Sequence, residues 1–377
     1  MLQTAPLPQG AAETPNAKPT RIRFDPSTGF QQDLKERVDR YFVETGLRPR
    51  GSAALYRKAA IMLVWLAASY GVLVFLPMPW WGAVLAGISL AFALAAVGFN
   101  VQHDGGHRAF SDNPALNKLA AASLDLIGGS SYIWNYKHNT LHHTYANITG
   151  HDDDIDLGML GRLSPHQKHF WFHRFQHIYL WFLYGFLTFK WLLVTDFVRA
   201  LSGRINQHRF PRPKGWDLAL FVGGKTLLIA LAFVIPALHH PLPIVVAFFV
   251  GVSFLESLII SVVFQMAHTV EEADFPMPEG MPPERIHNEW MIHQIETTVD
   301  FARHSRLLSW YIGGLNFQVE HHLFPRIAHI HYPALARIVE ETCREHGVRY
   351  TAHTSLWNSL RSHYRWLHEM GRPPVAA

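Results

Sequence analysis

The sequence predicts an all-α integral membrane protein, with four transmembrane helices in two hairpins and a cytoplasmic helical cap that holds a two-metal site. Three observations predict it. The 377 residues are 49% hydrophobic, 13% aromatic and only 16% charged, which is greasy for a soluble domain. Apolar runs long enough to cross a bilayer come in two closely spaced pairs. Histidines gather in three short segments, which a two-hairpin topology would bring to one membrane face.

Residues 1–20 are rich in Ala, Pro, Gln and Thr, with neither a basic nor an apolar leader region, and are expected to be a disordered tail. Residues 21–58 are polar, but Phe30, Leu34, Val38, Tyr41 and Phe42 recur at helical spacing. They predict a cytoplasmic amphipathic helix lying on the membrane or against the folded cap. The remaining residues, 59–377, form the membrane domain with its cap.

Ala59 to Leu76 and Trp81 to Phe99 are apolar runs joined by the turn Pro77-Met78-Pro79-Trp80. Leu218 to Leu238 and Leu242 to Met266 form a second pair around His239-His240-Pro241. Between the hairpins, Asn117 to Trp134 and Phe170 to Val198 are apolar but interrupted by Asp, His, Arg and Lys. Polar interruptions are costly in hydrocarbon, so both are read as partly embedded helices and not as further spans. Lys225 and Glu256, the charges inside the four spans, are expected to pair with each other across the second hairpin.

Charge sets the sidedness. The segment before the first span carries 10 Lys and Arg, the loop between the hairpins 12 and the tail after His268 another 10, while the two opposite connections carry none. The positive-inside rule then places both termini and the central loop in the cytoplasm. The net charge is +4, but the basic residues are not expected to cluster into a patch, their distribution fits membrane topology better, and no nucleic-acid partner is expected. The lone Cys343 excludes a disulfide framework and a Cys-ligated iron–sulfur cluster.

The histidine segments all reach that cytoplasmic face. The first is His103-Asp104-Gly105-Gly106-His107, an i, i+4 pair. In the second, Lys137-His138-Asn139-Thr140-Leu141-His142-His143, an α-helix would put His138 and His142 on one face and turn His143 about 100° away. The third is Gln318-Val319-Glu320-His321-His322. His268 at the end of the fourth span raises the count to eight. Neutral imidazole is a common ligand for iron, copper or zinc. A single zinc takes three or four protein ligands, so this many histidines predicts a dinuclear centre. The acidic run Asp152-Asp153-Asp154 lacks the spacing of a calcium loop and is read as solvated, or as a partner holding a liganding histidine in one tautomer.

These three boxes, with Gly313-Gly314-Leu315-Asn316-Phe317 before the third and Leu323-Phe324-Pro325 after it, resemble those of the membrane fatty acid desaturases over about residues 56–333. The glutamine at the head of the third box is similar to that of the front-end Δ5 and Δ6 enzymes. The resemblance implies a four-span stem and a cytoplasmic cap holding two irons, with His103, His107, His138, His142, His143, His268, His321 and His322 as ligands. It implies catalytic roles for Asp104 and Gln318, of which Gln318 is read as an outer partner or weak ligand. It further implies dioxygen as co-substrate, a long-chain fatty acyl substrate among membrane lipids, and a kinked acyl tunnel. Stearoyl-CoA desaturases place an asparagine four residues before the histidine matching His268, where this chain has Phe264. No His-Pro-Gly-Gly haem motif is present, so the electron donor is expected to be a separate ferredoxin or cytochrome b5 with its reductase. The membrane would be the inner membrane in a bacterium or the endoplasmic reticulum in a eukaryote.

Rival readings are weaker. A hydroxylase of the same superfamily would use the same ligands. A carboxylate-bridged di-iron enzyme needs paired Glu-x-x-His motifs, and that spacing occurs only from Glu284 to His287. A metal-binding or transport protein would carry ligands inside its spans. Hydrolytic zinc chemistry would call for His-Glu-x-x-His, which the sequence lacks.

Overall fold

The computed structural model describes residues 22–374 apart from residue 282; the expected tail, residues 1–20, lies outside the described residues. The described residues are mostly helical, and among them five helices are long and apolar enough to cross a membrane: Ala53–Phe75, Trp80–Gly106, Trp171–Ser202, Trp216–Ala237 and Leu242–His268. Four of them are the four apolar runs. The first starts where the Ser52 hydroxyl accepts from the Leu55 amide, as an N-cap should. Ile61, Val64, Leu85, Val222 and Val246 are exposed along these helices, as side chains facing lipid would be.

Trp171–Ser202 covers the run expected to be partly embedded. It is not one regular helix: it carries 3₁₀ turns at Trp171–Phe175 and Tyr184–Phe186 and a π-helical stretch at Trp191–Thr195. Such irregularities bend a helix. It packs on Leu242–His268, where the Thr188 amide donates to Ser257 Oγ at 3.0 Å and the Ser261 hydroxyl donates to the Tyr184 carbonyl at 3.2 Å.

This segment corrects the expected Lys225–Glu256 pair. Lys225 instead donates to Asp196 at 2.7 Å and to the Gly128 carbonyl at 2.6 Å. Glu256 accepts from the Thr188 hydroxyl at 3.4 Å. Trp171–Ser202 brings Asp196 to Lys225 and Thr188 to Glu256, so each charge finds its partner on a helix whose depth the sequence pattern did not reveal.

The amphipathic segment forms Phe30–Thr45 and packs against Tyr332–His346. Phe30, Leu34 and Val38 share a buried cluster with Leu335, Val339 and Cys343 of Tyr332–His346. Asp33 ties the two helices at the rim, accepting from Arg37 at 2.8 Å and pairing with His346 at 2.9 Å. Three two-residue ladders occur among the described residues: Arg23–Phe24 parallel to Arg285–Ile286, Arg204–Ile205 antiparallel to His208–Arg209, and Asp300–Phe301 parallel to Ala352–His353.

Candidate metal centre

Each histidine box sits on an element whose geometry aims its rings inward. The first continues the helix Trp80–Val97 through a π-helical turn, Gly98–Gln102, into His103–Gly106. Both glycines of this box are required by close approach. A β-carbon on Gly105 would meet the backbone of Ala121, and one on Gly106 would collide with the Trp134 ring.

The second box lies in a π-helix, Asn135–His142, where the His143 amide donates to the His138 carbonyl. That bond spans five residues, and the wider winding brings position i+5 back beneath position i. His143 is therefore not turned away from His138, as α-helical geometry predicted; their Nε2 atoms are 3.3 Å apart. The third box forms the buried helix Gln318–Leu323, and His268 ends its long helix.

These elements bring all eight predicted histidines together. His103, His107, His138 and His321 place one ring nitrogen each within 4.8 Å of one another, and so do His142, His268 and His322. A third set, His143 with His321 and His322, bridges them. His138, His142 and Asp154 make a fourth. Two groups that share neighbours match a pair of ions better than one.

The nitrogens facing inward are incomplete. Nε2 of His103, His107, His321 and His322 is buried without a hydrogen-bond partner, an arrangement that costs free energy unless something binds there. The outer nitrogens of four of the eight rings are held. His321 Nδ1 meets the Tyr332 hydroxyl at 3.2 Å, His322 Nδ1 donates to Gln294 Oε1 at 2.7 Å, and His142 Nδ1 lies 3.0 Å from Asp152. His268 Nδ1 faces the Thr297 carbonyl at 3.4 Å. An outer partner fixes a ring's tautomer and leaves Nε2 free to bind metal. The donor set therefore fits transition-metal ions.

Electrostatics agree. Burial, followed by the neighbouring imidazoles, pushes His107, His143, His321 and His322 well below the usual histidine range. Burial takes His138 down to about 4. These rings are neutral at physiological pH, the form that binds metal. His142 is the exception: burial lowers it, but Asp152 and Asp154 together outweigh burial and raise it.

Gln318 is fully buried, with its amide nitrogen 3.1 Å from His268 Nε2 and its Oε1 without a partner. It thus adjoins the centre. Asp104 points elsewhere: its carboxylate binds His329 Nδ1 at 2.8 Å, and His329 Nε2 meets Lys58 at 2.7 Å. It belongs to none of the four groups able to hold metal.

A cavity of about 330 Å³ opens beside the rings, lined by His138, His142 and His268 with Trp191, Tyr184 and Phe264 among its walls. Phe264 gives this wall an apolar face. A second, apolar cavity of about 420 Å³ lies among the membrane helices and reaches Glu256 and Thr188.

Sequence reasoning missed Gln294, Tyr332 and Trp134, whose indole stacks on His138 with ring centres 4.5 Å apart. None of the three carries a motif. Of the two readings of the acidic run, solvated loop or holder of a histidine tautomer, Asp152 fits the second through its 3.0 Å contact with His142 Nδ1.

Comparison with known proteins agrees with this geometry. Residues 78–354 match the fatty acid desaturase family. The chain is 38% identical over 357 residues to an sn-1 linoleoyl-lipid 6-desaturase of Arthrospira platensis, covering 94% of this chain and 96% of that protein. It is 39% identical to the enzyme of the same name from Synechocystis sp., covering 93% and 98%. An acyl-lipid (8-3)-desaturase of Physcomitrium patens is 34% identical over 91% of this chain and 72% of its own length. With the histidine boxes converging as that family requires, the chain belongs to the fatty acid desaturases and is an oxidoreductase of that family.

Proposed function

We propose that this protein is a dioxygen-dependent front-end desaturase acting on long-chain acyl groups of membrane lipids, with two irons held by His103, His107, His138, His142, His143, His268, His321 and His322. The observation that carries this reading is the set of four buried, unpartnered Nε2 atoms, spread over adjoining groups of histidines able to hold metal. The names of the relatives favour a lipid-linked acyl group and the front-end position.

Bound iron, with dioxygen and reducing equivalents, would supply the oxidising power needed to take hydrogen from an unactivated methylene. The chain's own residues do the rest. Asp152, Gln294 and Tyr332 hold three ligands in orientation. The cavity walls present one methylene to the centre, because an acyl chain offers no polar handle and depth alone selects the carbon. Gln318 acts beside the centre as an outer partner or weak ligand. Asp104 braces the first box through His329 and Lys58.

Four spans and a cytoplasmic cap fit the same geometry. The first hairpin returns at His103 and the second at His268, so both bring ligands to one face. Trp171–Ser202 follows the second box and precedes the outgoing helix Trp216–Ala237; it therefore begins and ends on that face and dips into the membrane without crossing it. The charge distribution makes that face cytoplasmic.

The test is expression in a host of known lipid composition, with double bonds in new fatty acids located by mass spectrometry. A new double bond on the carboxyl side of an existing one is expected. A hydroxylated product, or no acyl product from an iron-loaded protein, would overturn the reading.

A further inference from the structure

We propose that the two arginine-faced ladders of the cap form the docking surface for an acidic one-electron carrier protein. The proposal rests on the desaturase reading, which requires electrons from outside the chain. Folding assembles what the sequence scatters. In the parallel ladder Arg23 lies directly opposite Arg285, and in the antiparallel one Arg204 lies directly opposite Arg209. All four side chains are exposed, and none makes an ion pair or side-chain hydrogen bond with a described residue.

Like charges placed directly opposite each other destabilise a strand pair. Two ladders carry the same unfavourable pairing, and both rest on one hydrophobic cluster. Ile22 and Ile286 of the first ladder pack there with Ile205 and Phe210 of the second. Leu141, which immediately precedes His142, belongs to the same cluster. Glu279 lies directly across from Arg285 in an antiparallel bridge on the other side of that strand, but no ion pair joins its carboxylate to either arginine of the ladder. Asp25 and Glu279 each face His287, at 3.8 Å. A surface of this kind suits a partner that brings carboxylates.

The position favours an electron carrier over anionic lipid. Arg285 is five residues from Trp290, a half-buried indole whose N–H donates to the His143 carbonyl at 3.3 Å. Phe24, next to Arg23, packs on His293 with ring centres 5.1 Å apart. Trp290, five residues along the chain from the parallel ladder, is thus one hydrogen bond from a candidate ligand. Each encounter would oxidise the carrier by one electron. Two such electrons, two protons from solvent and one dioxygen balance the two hydrogens removed from the chain, giving one double bond and two waters.

The test compares the full-length protein in nanodiscs with Arg23→Glu/Arg285→Glu and Arg204→Glu/Arg209→Glu, using a plant-type [2Fe–2S] ferredoxin as probe. At low salt, wild-type binding should weaken as salt is added, and each double reversal should weaken it about tenfold or more. The variants' defect should appear in the KM for ferredoxin and not in kcat. Ferredoxin affinity equal to wild type in both variants would overturn the proposal. So would a defect that depends on the fraction of anionic lipid and not on ferredoxin, which would make the surface a lipid contact. Single turnover of dithionite-reduced wild type separates the two claims. No desaturated product there means that the desaturase reading fails, whatever the binding data say of docking.

Discussion

Two polar islands sit in the apolar body of this protein, and they are built on opposite principles. At the first, Lys225 and Asp196 are almost fully buried and complete, with the ammonium bound to the carboxylate and to the Gly128 carbonyl. At the second, eight histidines converge with four inward nitrogens unsatisfied, while the outer nitrogens of His142, His268, His321 and His322 are held by Asp152, Thr297, Tyr332 and Gln294. A closed island is structure. An open one, held rigidly with its donors facing a common volume, is a site awaiting a ligand. Orientation without satisfaction is the feature that separates function from packing here.

The largest effect that can break this contrast is loss of a ligand. His107→Ala, His321→Ala or His322→Ala should abolish desaturated product while leaving a folded, membrane-inserted protein, as checked by lipid analysis beside thermal unfolding in detergent. Near-normal product from most of these variants would move the site elsewhere.

The closed island should respond in stability and not in chemistry. Lys225→Met strands the buried Asp196 carboxylate and should cost about 3–5 kcal/mol, whereas Lys225→Met/Asp196→Leu should recover most of the loss. A thermal-unfolding double-mutant cycle reads this directly. Additive losses would mean that the two groups do not act as a pair.

The outer partners of the open island come next. Asp152→Ala and Gln294→Ala should each weaken iron binding about 10- to 100-fold with the fold intact, because they orient His142 and His322 without touching metal. Chelator titration of the purified protein measures it. Unchanged affinity in both would mean that the rings orient themselves.

Gln318 gives the smallest effect on metal and sharpens the boundary between ligand and neighbour. Gln318→Ala should lower turnover about tenfold and keep most of the iron, and Gln318→His should retain some activity because imidazole can supply a ligand. Iron loss as complete as in His321→Ala would make the glutamine a true ligand.

How much of this was legible in the sequence follows from what kind of signal each feature leaves. The four apolar runs and the amphipathic Phe30–Thr45 announced themselves by period and length, because burial in lipid or against a cap dictates composition directly. The histidine boxes were legible from residue type and sidedness alone. The π-winding of Asn135–His142 left no compositional mark, so the position of His143 was misjudged by the α-helical period. Trp171–Ser202 mixes apolar and polar residues in a way that fits several depths; its depth decides the partners of Lys225 and Glu256, and the pair expected from hairpin geometry did not form. Gln294 lies 28 residues from His322 and Tyr332 lies 11 residues from His321, and only the fold brings them to those rings. The arginine ladders were hidden for the same reason: residues 23 and 285, distant along the chain, become neighbours only when strands pair.

The central claim is that the open island holds a pair of irons, and metal content tests it most directly. Protein purified from iron-replete cells should contain two irons per chain by elemental analysis, falling to near zero in His321→Ala/His322→Ala protein that still folds. One zinc per chain in the wild type, or undiminished iron in that variant, would contradict the account.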